Sequence, residues 1–241
     1  MFVEISGQRI FYQRNTNEKK PLILLHGWGC NSNTMRCIFD FFTKKGRAVY
    51  ALDFCGFGKS EEPKTAFTIF DYARIIELFI GQFCHEKPDI IAHSFGARVA
   101  LILASANKVN RLIITGGAGL KPRRNIVYYF KILRYKISKT LGLNTAQYGS
   151  TDYRNCSGVM RQVFYNTVNT HLDKIAEKVN SKTLLLWGRN DKATPLYMAK
   201  KLKRKIANST LITLNNSGHF AFIDESALFL RLCDNFLNRE E

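Results

Sequence analysis

Ser94 stands where the chain could turn a hydroxyl into a nucleophile. In Asp89-Ile90-Ile91-Ala92-His93-Ser94-Phe95-Gly96-Ala97, an apolar triplet suited to a buried strand runs straight into a helical pattern that opens at Phe95. A serine at such a corner needs small residues two before and two after it, because the backbone doubles back tightly there. Ala92 and Gly96 meet that demand, and Ala97 keeps the next position small as well. The serine of a nucleophile elbow is held strained and exposed. A hydroxyl used in this way needs a base, and the base needs an orienting acid. Five histidines are available: His26, His85, His93, His171 and His219. His219, in Asn216-Ser217-Gly218-His219-Phe220, follows the last predicted strand, and catalytic groups of open α/β sheets gather at that carboxyl edge. Asp191, in Trp187-Gly188-Arg189-Asn190-Asp191, occupies another strand-end loop and is the acid candidate.

Positioning such groups requires a scaffold, and the hydropathy pattern describes one. Alternating segments at Phe2–Ile5 and Arg9–Gln13 around Ser6-Gly7-Gln8 predict an opening hairpin. The apolar run Leu22–Leu25 after Pro21 suits a strand buried on both faces. Further strands are expected at Arg47–Asp53, Ile90–Ala92, Val109–Thr115, Lys182–Trp187 and Thr210–Leu214. Helices are expected over residues 34–45, Thr68–Cys84, Phe95–Ala106, Pro195–Ile206 and Phe220–Asn238. Strands alternating with helices of this length imply an α/β fold, a mostly parallel central sheet of about eight strands with helices on both faces. The rhythm breaks after Gly116-Gly117-Ala118-Gly119 and then resumes. Residues 120–179 are therefore read as a helical cap inserted after the sixth strand, and residues 1–119 and 180–241 as the core.

With those elements placed, the chain resembles the α/β-hydrolase superfamily over almost its whole length. The motifs that carry the resemblance are His-Gly-x-Gly at 26–29, Asp-x-x-Gly-x-Gly-x-Ser at 53–60, the elbow at 92–96, Gly-x-x-Asp at 188–191 and Gly-His at 218–219. Each alone is weak; all five occur in the order of that family, as does the chain order Ser94, Asp191, His219. The resemblance implies that Ser94 attacks an acyl carbon, that His219 takes its proton and later protonates the leaving group, and that Asp191 holds the histidine tautomer. It also implies an oxyanion hole from the backbone N–H groups of Trp28 and Phe95. No cofactor and no metal is implied, because the nucleophile comes from the chain itself.

The triad fixes the reaction class better than the substrate. The leading expectation is hydrolysis of a small carboxylic ester. Carbon–carbon hydrolysis of a 2-hydroxy-6-oxo-dienoate is the second reading, although familiar enzymes of that group carry Asn where this chain has His93 and Trp where it has Phe220. Arg154 or Arg161 could bind the substrate carboxylate in that case, and His93 and Phe220 are further candidates for substrate contact. A third reading is an esterase for acyl groups on an acidic carrier protein. A non-catalytic ligand-binding relative of these enzymes is the reading from a different class.

Composition bounds the rest. The 46% apolar and 23% charged residues over 241 positions fit one large globular domain. No apolar run approaches the roughly 18 residues of a membrane span, and Glu4 interrupts what a leader would keep apolar, so a cytoplasmic location is expected. The six cysteines show no metal-ligand spacing. The net charge of +17 reads first as a uniformly Lys-rich surface and second as attraction for an anionic partner, an acidic substrate, an acidic carrier protein or a membrane surface; no nucleic-acid motif is present, so nucleic acid is disfavoured. Between Lys121 and Thr140 there are seven Lys/Arg and no acidic residue, interleaved with Ile126, Val127, Phe130, Ile132, Leu133 and Ile137. This reads as an amphipathic helix over the site or a docking surface for an anionic partner. The run Lys200–Lys205 reads as plain helix surface.

Overall fold

The computed structural model of the chain describes residues 1–123, 130, 133, 134, 138, 140 and 150–238. The hairpin is β1 (Phe2–Ile5) and β2 (Gln8–Arg14), closed by Ser6 and Gly7, both at positive φ as a tight hairpin turn demands. Then come β3 (Lys19–Leu25), α1 (Arg36–Lys44), β4 (Arg47–Leu52), α2 (Ile69–Phe83), β5 (Asp89–His93), α3 (Phe95–Ser105) and β6 (Arg111–Thr115). After the β6–β7 segment follow β7 (Lys182–Gly188), which precedes a helix at Leu196–Lys205, and β8 (Ser209–Leu214). The sheet is eight-stranded in the order β1-β2-β4-β3-β5-β6-β7-β8. Only the pairs made by β2 are antiparallel; from β4 to β8 every pair is parallel. The fold class expected from the alternation is the one observed.

The two-residue period of a strand explains the two layers. Leu22 and Leu24 point to one face, where they pack with Ile38 and Phe42 of α1 and with Phe229 and Cys233 near the carboxyl end. Ile23 and Leu25 point to the other, into the cluster built from α2, α3 and the Leu196–Lys205 helix. Every one of these strand residues is essentially buried, as a strand covered on both sides must be.

Topology places the site. From β3 the chain steps to β4 on one side, and from β5 it steps to β6 on the other. The loops after β3 and β5 therefore diverge, and ligands of open α/β sheets bind in such a crevice at the carboxyl ends of the strands. The β6–β7 segment contributes α4 (Thr151–Asn155), α5 (Gly158–Asn169) and α6 (Asp173–Ala176), with no strand among the described residues. The Leu196–Lys205 helix is α7. Arg124, Lys131, Lys136 and Lys139, with Ile126, Val127, Ile132 and Ile137, lie outside the described residues.

The expected terminal helix is in fact two, α8 (Ala221–Asp224) and α9 (Ser226–Asn238), with Glu225 out of helical geometry between them. Its carboxylate instead accepts from Asn216 N–H and the Ser217 hydroxyl. The helix expected over 34–45 likewise starts as a 3₁₀ turn, Ser32–Met35, capped by Asn31. No described helix is long and apolar enough to cross a membrane. All six cysteines are free thiols.

Candidate active site

Ser94 is the single residue between the end of β5 and the start of α3, and it makes the reversal at φ 48°, ψ −106°. A non-glycine residue persists there only when its surroundings hold it. Here the end of β6 does so from one side, since Ser94 N–H donates to the Thr115 carbonyl at 3.1 Å and Ala118 N–H donates to the Ser94 carbonyl at 3.1 Å. The end of β3 does so from the other, where Gly96 N–H donates to the His26 carbonyl at 3.0 Å. A side chain on Gly96 would run into the Leu25 carbonyl, which is why that position must be glycine. Ala92 is fully buried in β5.

The strand-end loops bring His219 and Asp191 together. His219 Nδ1 lies 2.9 Å from Asp191 Oδ2. Asp191 is 4% exposed, and its carboxylate also accepts from Ala193 N–H at 2.9 Å, Thr194 N–H at 2.8 Å and the Thr194 hydroxyl at 2.8 Å. Burial alone would raise this carboxyl, but the bonds from His219 and Thr194 outweigh it and hold it below the usual carboxylate range. With Nδ1 donating to the ionised acid, the lone pair of His219 resides on Nε2. The two loops are bound to each other as well: Asn190 N–H donates to the Ser217 carbonyl at 3.0 Å, and Gly188 has no room for a side chain against the Gly218 carbonyl. Gly218 N–H is in turn held by Asp224 at 2.8 Å.

The His219 ring reaches the elbow through two contacts. It packs on the ring of His93, the neighbour of Ser94, with centroids 4.6 Å apart, and it stands against Gly116, where an added Cβ would lie 2.9 Å from Nδ1. Among the described residues no hydrogen bond joins the Ser94 hydroxyl to His219; in sites without substrate this bond is often long.

The loop after β3 stands opposite. The Phe95 N–H is the first of α3, where a helix offers no internal acceptor, and the Trp28 ring lies 5.5 Å from the Phe95 ring. His26 shapes this loop. It is fully buried, with Nδ1 2.7 Å from the Gly27 carbonyl and Nε2 accepting from Phe54 N–H at 3.0 Å. Burial pulls its pKa down to about 4, so it is neutral. Asp53 braces the following loop by accepting from Ser32 and Lys59 N–H groups.

The substrate-contact candidates fare unevenly. His93 is 1% exposed, enclosed by His219, Phe220 and Phe222, with Nδ1 on the Thr115 carbonyl. Its ring packs against the His219 ring and stands close to Gly27, where an added Cβ would lie 2.9 Å from it. Phe220 is half-buried, 5.4 Å from the His219 ring. Arg154 is exposed and reaches its own helix at Thr151. Arg161 commits Nε and Nη2 to the Cys156 carbonyl. What the sequence reading missed is Thr194, whose place three residues after an acid in a turn is the signal for such bonds. It also missed an aromatic wall. Trp28 is flanked by Phe57 at 4.8 Å and by Phe164 of α5 at 5.0 Å, so the β6–β7 segment contacts the loop after β3 directly. Among the described residues no group of His, Cys, Asp or Glu is disposed to hold a metal.

Comparison with known proteins agrees with this architecture. A family profile described as alpha/beta hydrolase fold matches residues 20–131, and one described as TAP-like protein matches residues 145–240. AB hydrolase superfamily protein YisY of Bacillus subtilis (strain 168) is 25% identical over 91% of this chain and 92% of its own. The 2-hydroxymuconate semialdehyde hydrolase of Pseudomonas putida is 27% identical over 90% of this chain and 86% of its own. Among solved structures, an esterase from Exiguobacterium antarcticum superposes with a TM-score of 0.80 at 21% identity, covering 99% of both chains.

Proposed function

The chain belongs to the α/β-hydrolase superfamily, and from that premise we propose that it is a serine hydrolase that cleaves a small carboxylic ester through an acyl-enzyme. The observation that carries this reading is the 2.9 Å His219–Asp191 contact, packed beside a serine held at an elbow geometry. In the proposed reaction Ser94 Oγ attacks the acyl carbon as His219 Nε2 takes its proton. Asp191 stabilises the resulting imidazolium without becoming protonated itself. The Trp28 and Phe95 N–H groups receive the oxyanion, each such donor commonly lowering the barrier by about 3–4 kcal/mol. His219 then protonates the departing alcohol, and a water, activated by the same ring, releases the acid. Residues 120–179 act as the cap. The aromatic wall of Trp28, Phe57 and Phe164 favours an apolar acyl group.

Carbon–carbon hydrolysis is the second reading, supported by the ring-cleavage hydrolase among the relatives. Against it, Arg161 is engaged by Cys156 and Arg154 is turned to solvent on its own helix. A fluorophosphonate probe tests the central claim: it labels the protein and fails to label Ser94→Ala. An unlabelled wild type removes the activated serine and leaves a ligand-binding role. Short-chain p-nitrophenyl esters are expected to turn over faster than a dienoate ring-cleavage product; the reverse ranking selects carbon–carbon hydrolysis.

A further inference from the structure

Along α7 the surface is strongly cationic. On α7, Lys200, Lys203 and Arg204 recur at i, i+3 and i+4 and so share one exposed face, while Met198, Ala199 and Leu202 bury the opposite one. Lys201 and Lys205, on the flank, are engaged by Asp173 and Glu177. Among the described residues no acid pairs with Lys200, Lys203 or Arg204. The same helix seats the start of the β6–β7 segment. Lys201 Nζ donates to the Lys121 carbonyl at 2.8 Å, Arg123 N–H donates to the Tyr197 hydroxyl at 3.2 Å, and the Arg123 guanidinium lies 4.9 Å from the Tyr197 ring centre. Lys121 and Arg123 are themselves exposed and carry the cationic face of α7 to the start of the stretch 121–140, whose sequence holds no acidic residue.

Two large apolar side chains of that stretch stand in water: Phe130 is 66% and Leu133 53% exposed. Uncompensated cations together with exposed aromatic and aliphatic groups are the composition of segments that lie in a membrane interface. The apolar groups enter the headgroup boundary, and the cations meet anionic lipid. An acidic protein or a nucleic acid would account for the cations and leave Phe130 and Leu133 unexplained.

We infer that the cationic face formed by Lys121, Arg123, Lys200, Lys203 and Arg204 docks on an anionic lipid bilayer, and that Phe130 and Leu133 enter its interface. The inference goes beyond the ester reading and does not depend on it, since binding is measured without turnover.

Co-sedimentation with vesicles tests it. Phosphatidylcholine vesicles with phosphatidylserine at about 30 mol % bind the protein at least about tenfold more tightly than pure phosphatidylcholine. The Lys200→Ala/Lys203→Ala/Arg204→Ala variant loses about tenfold or more of that binding, with hydrolysis of a soluble short ester unchanged. The Phe130→Ser/Leu133→Ser variant still binds at low salt but is released completely at high salt, whereas the wild type is partly retained. Equal binding to the two vesicle types, or full affinity in the triple variant, overturns the inference. Capture by immobilised polyglutamate through the same three cations, without vesicle binding, also overturns it and assigns the face to an acidic protein.

Discussion

Gly116 is where a single hydrogen atom decides whether the base stands in place. Its φ is +55°, and a methyl there would lie 2.9 Å from His219 Nδ1, the atom bonded to Asp191. Gly116→Ala therefore adds left-handed strain of about 1–2 kcal/mol and pushes the imidazole off its acid. A displacement near 1 Å can cost on the order of 100-fold in rate. The expected result is a fall in kcat of about tenfold or more with KM little changed, read by steady-state kinetics on a p-nitrophenyl ester; an unaltered kcat contradicts the placement. Asp191→Asn acts on the same ring by favouring the wrong tautomer, and a kcat loss of about 10⁴-fold is expected while the fold is retained. A loss of only a few fold would show that His219 does not rely on this carboxylate. Ser94, Asp191 and His219 were legible in the sequence because each sits in a short motif at a strand end. Thr194 and Thr115 were not. One serves the acid through a turn, the other serves the elbow through a backbone carbonyl that any residue carries.

At the scale of elements, the strands were readable wherever burial on both faces forces a continuous apolar run, as in Leu22–Leu25 and Ile90–Ala92. Helix ends were readable where a cap is local: Thr68 and Asp71 close the start of α2 reciprocally. The break at Glu225 was hidden, because it answers to Asn216 and Ser217 rather than to its own neighbours in the helix. Equally hidden was the tie between α3 and α5. Arg98, one turn beyond the elbow, is buried and donates to the Thr167 and Thr170 carbonyls at 2.8 and 2.9 Å, where α5 ends. A cation at the carboxyl end of a helix meets both the unpaired carbonyls and the helix dipole. Burial lowers the Arg98 pKa to about 10, which still leaves it charged at neutral pH. Arg98→Met keeps much of the side-chain volume, strands the Thr170 carbonyl and leaves the Thr167 carbonyl only the Thr170 N–H, so a loss of about 1–3 kcal/mol is expected. Limited proteolysis should then open first within residues 150–170, and cleavage unchanged in rate and place would show that α5 is held by its apolar contacts alone.

For the molecule as a whole, the carboxyl rim of the sheet is built on two histidines that fold only when neutral. His26 and His93 are 0% and 1% exposed and bridge loops from different strands. Burial is the main cause in both, and it draws His26 down to about 4 and His93, which also faces His219, to about 3. An unfolded histidine titrates near 6.5. Because the folded values are depressed, the stability tied to these rings is fully present above about pH 6.5 and is lost as pH falls toward the folded values. The unfolded chain then binds up to two more protons than the folded one. Each bound proton lowers stability by about 1.4 kcal/mol per pH unit, so a drop from about pH 6.5 to about pH 5 removes up to ~4 kcal/mol, a large part of a typical domain's 5–15. Asp191, held below the usual carboxylate range, has the same sign but acts in a separate window, under about pH 4. Urea unfolding is therefore expected to show a midpoint that declines steadily between about pH 7 and about pH 5. His93→Gln, with one fewer proton to take up, should show about half that slope. A wild-type midpoint that stays flat across this range would mean that the two rings are not held neutral in the folded state.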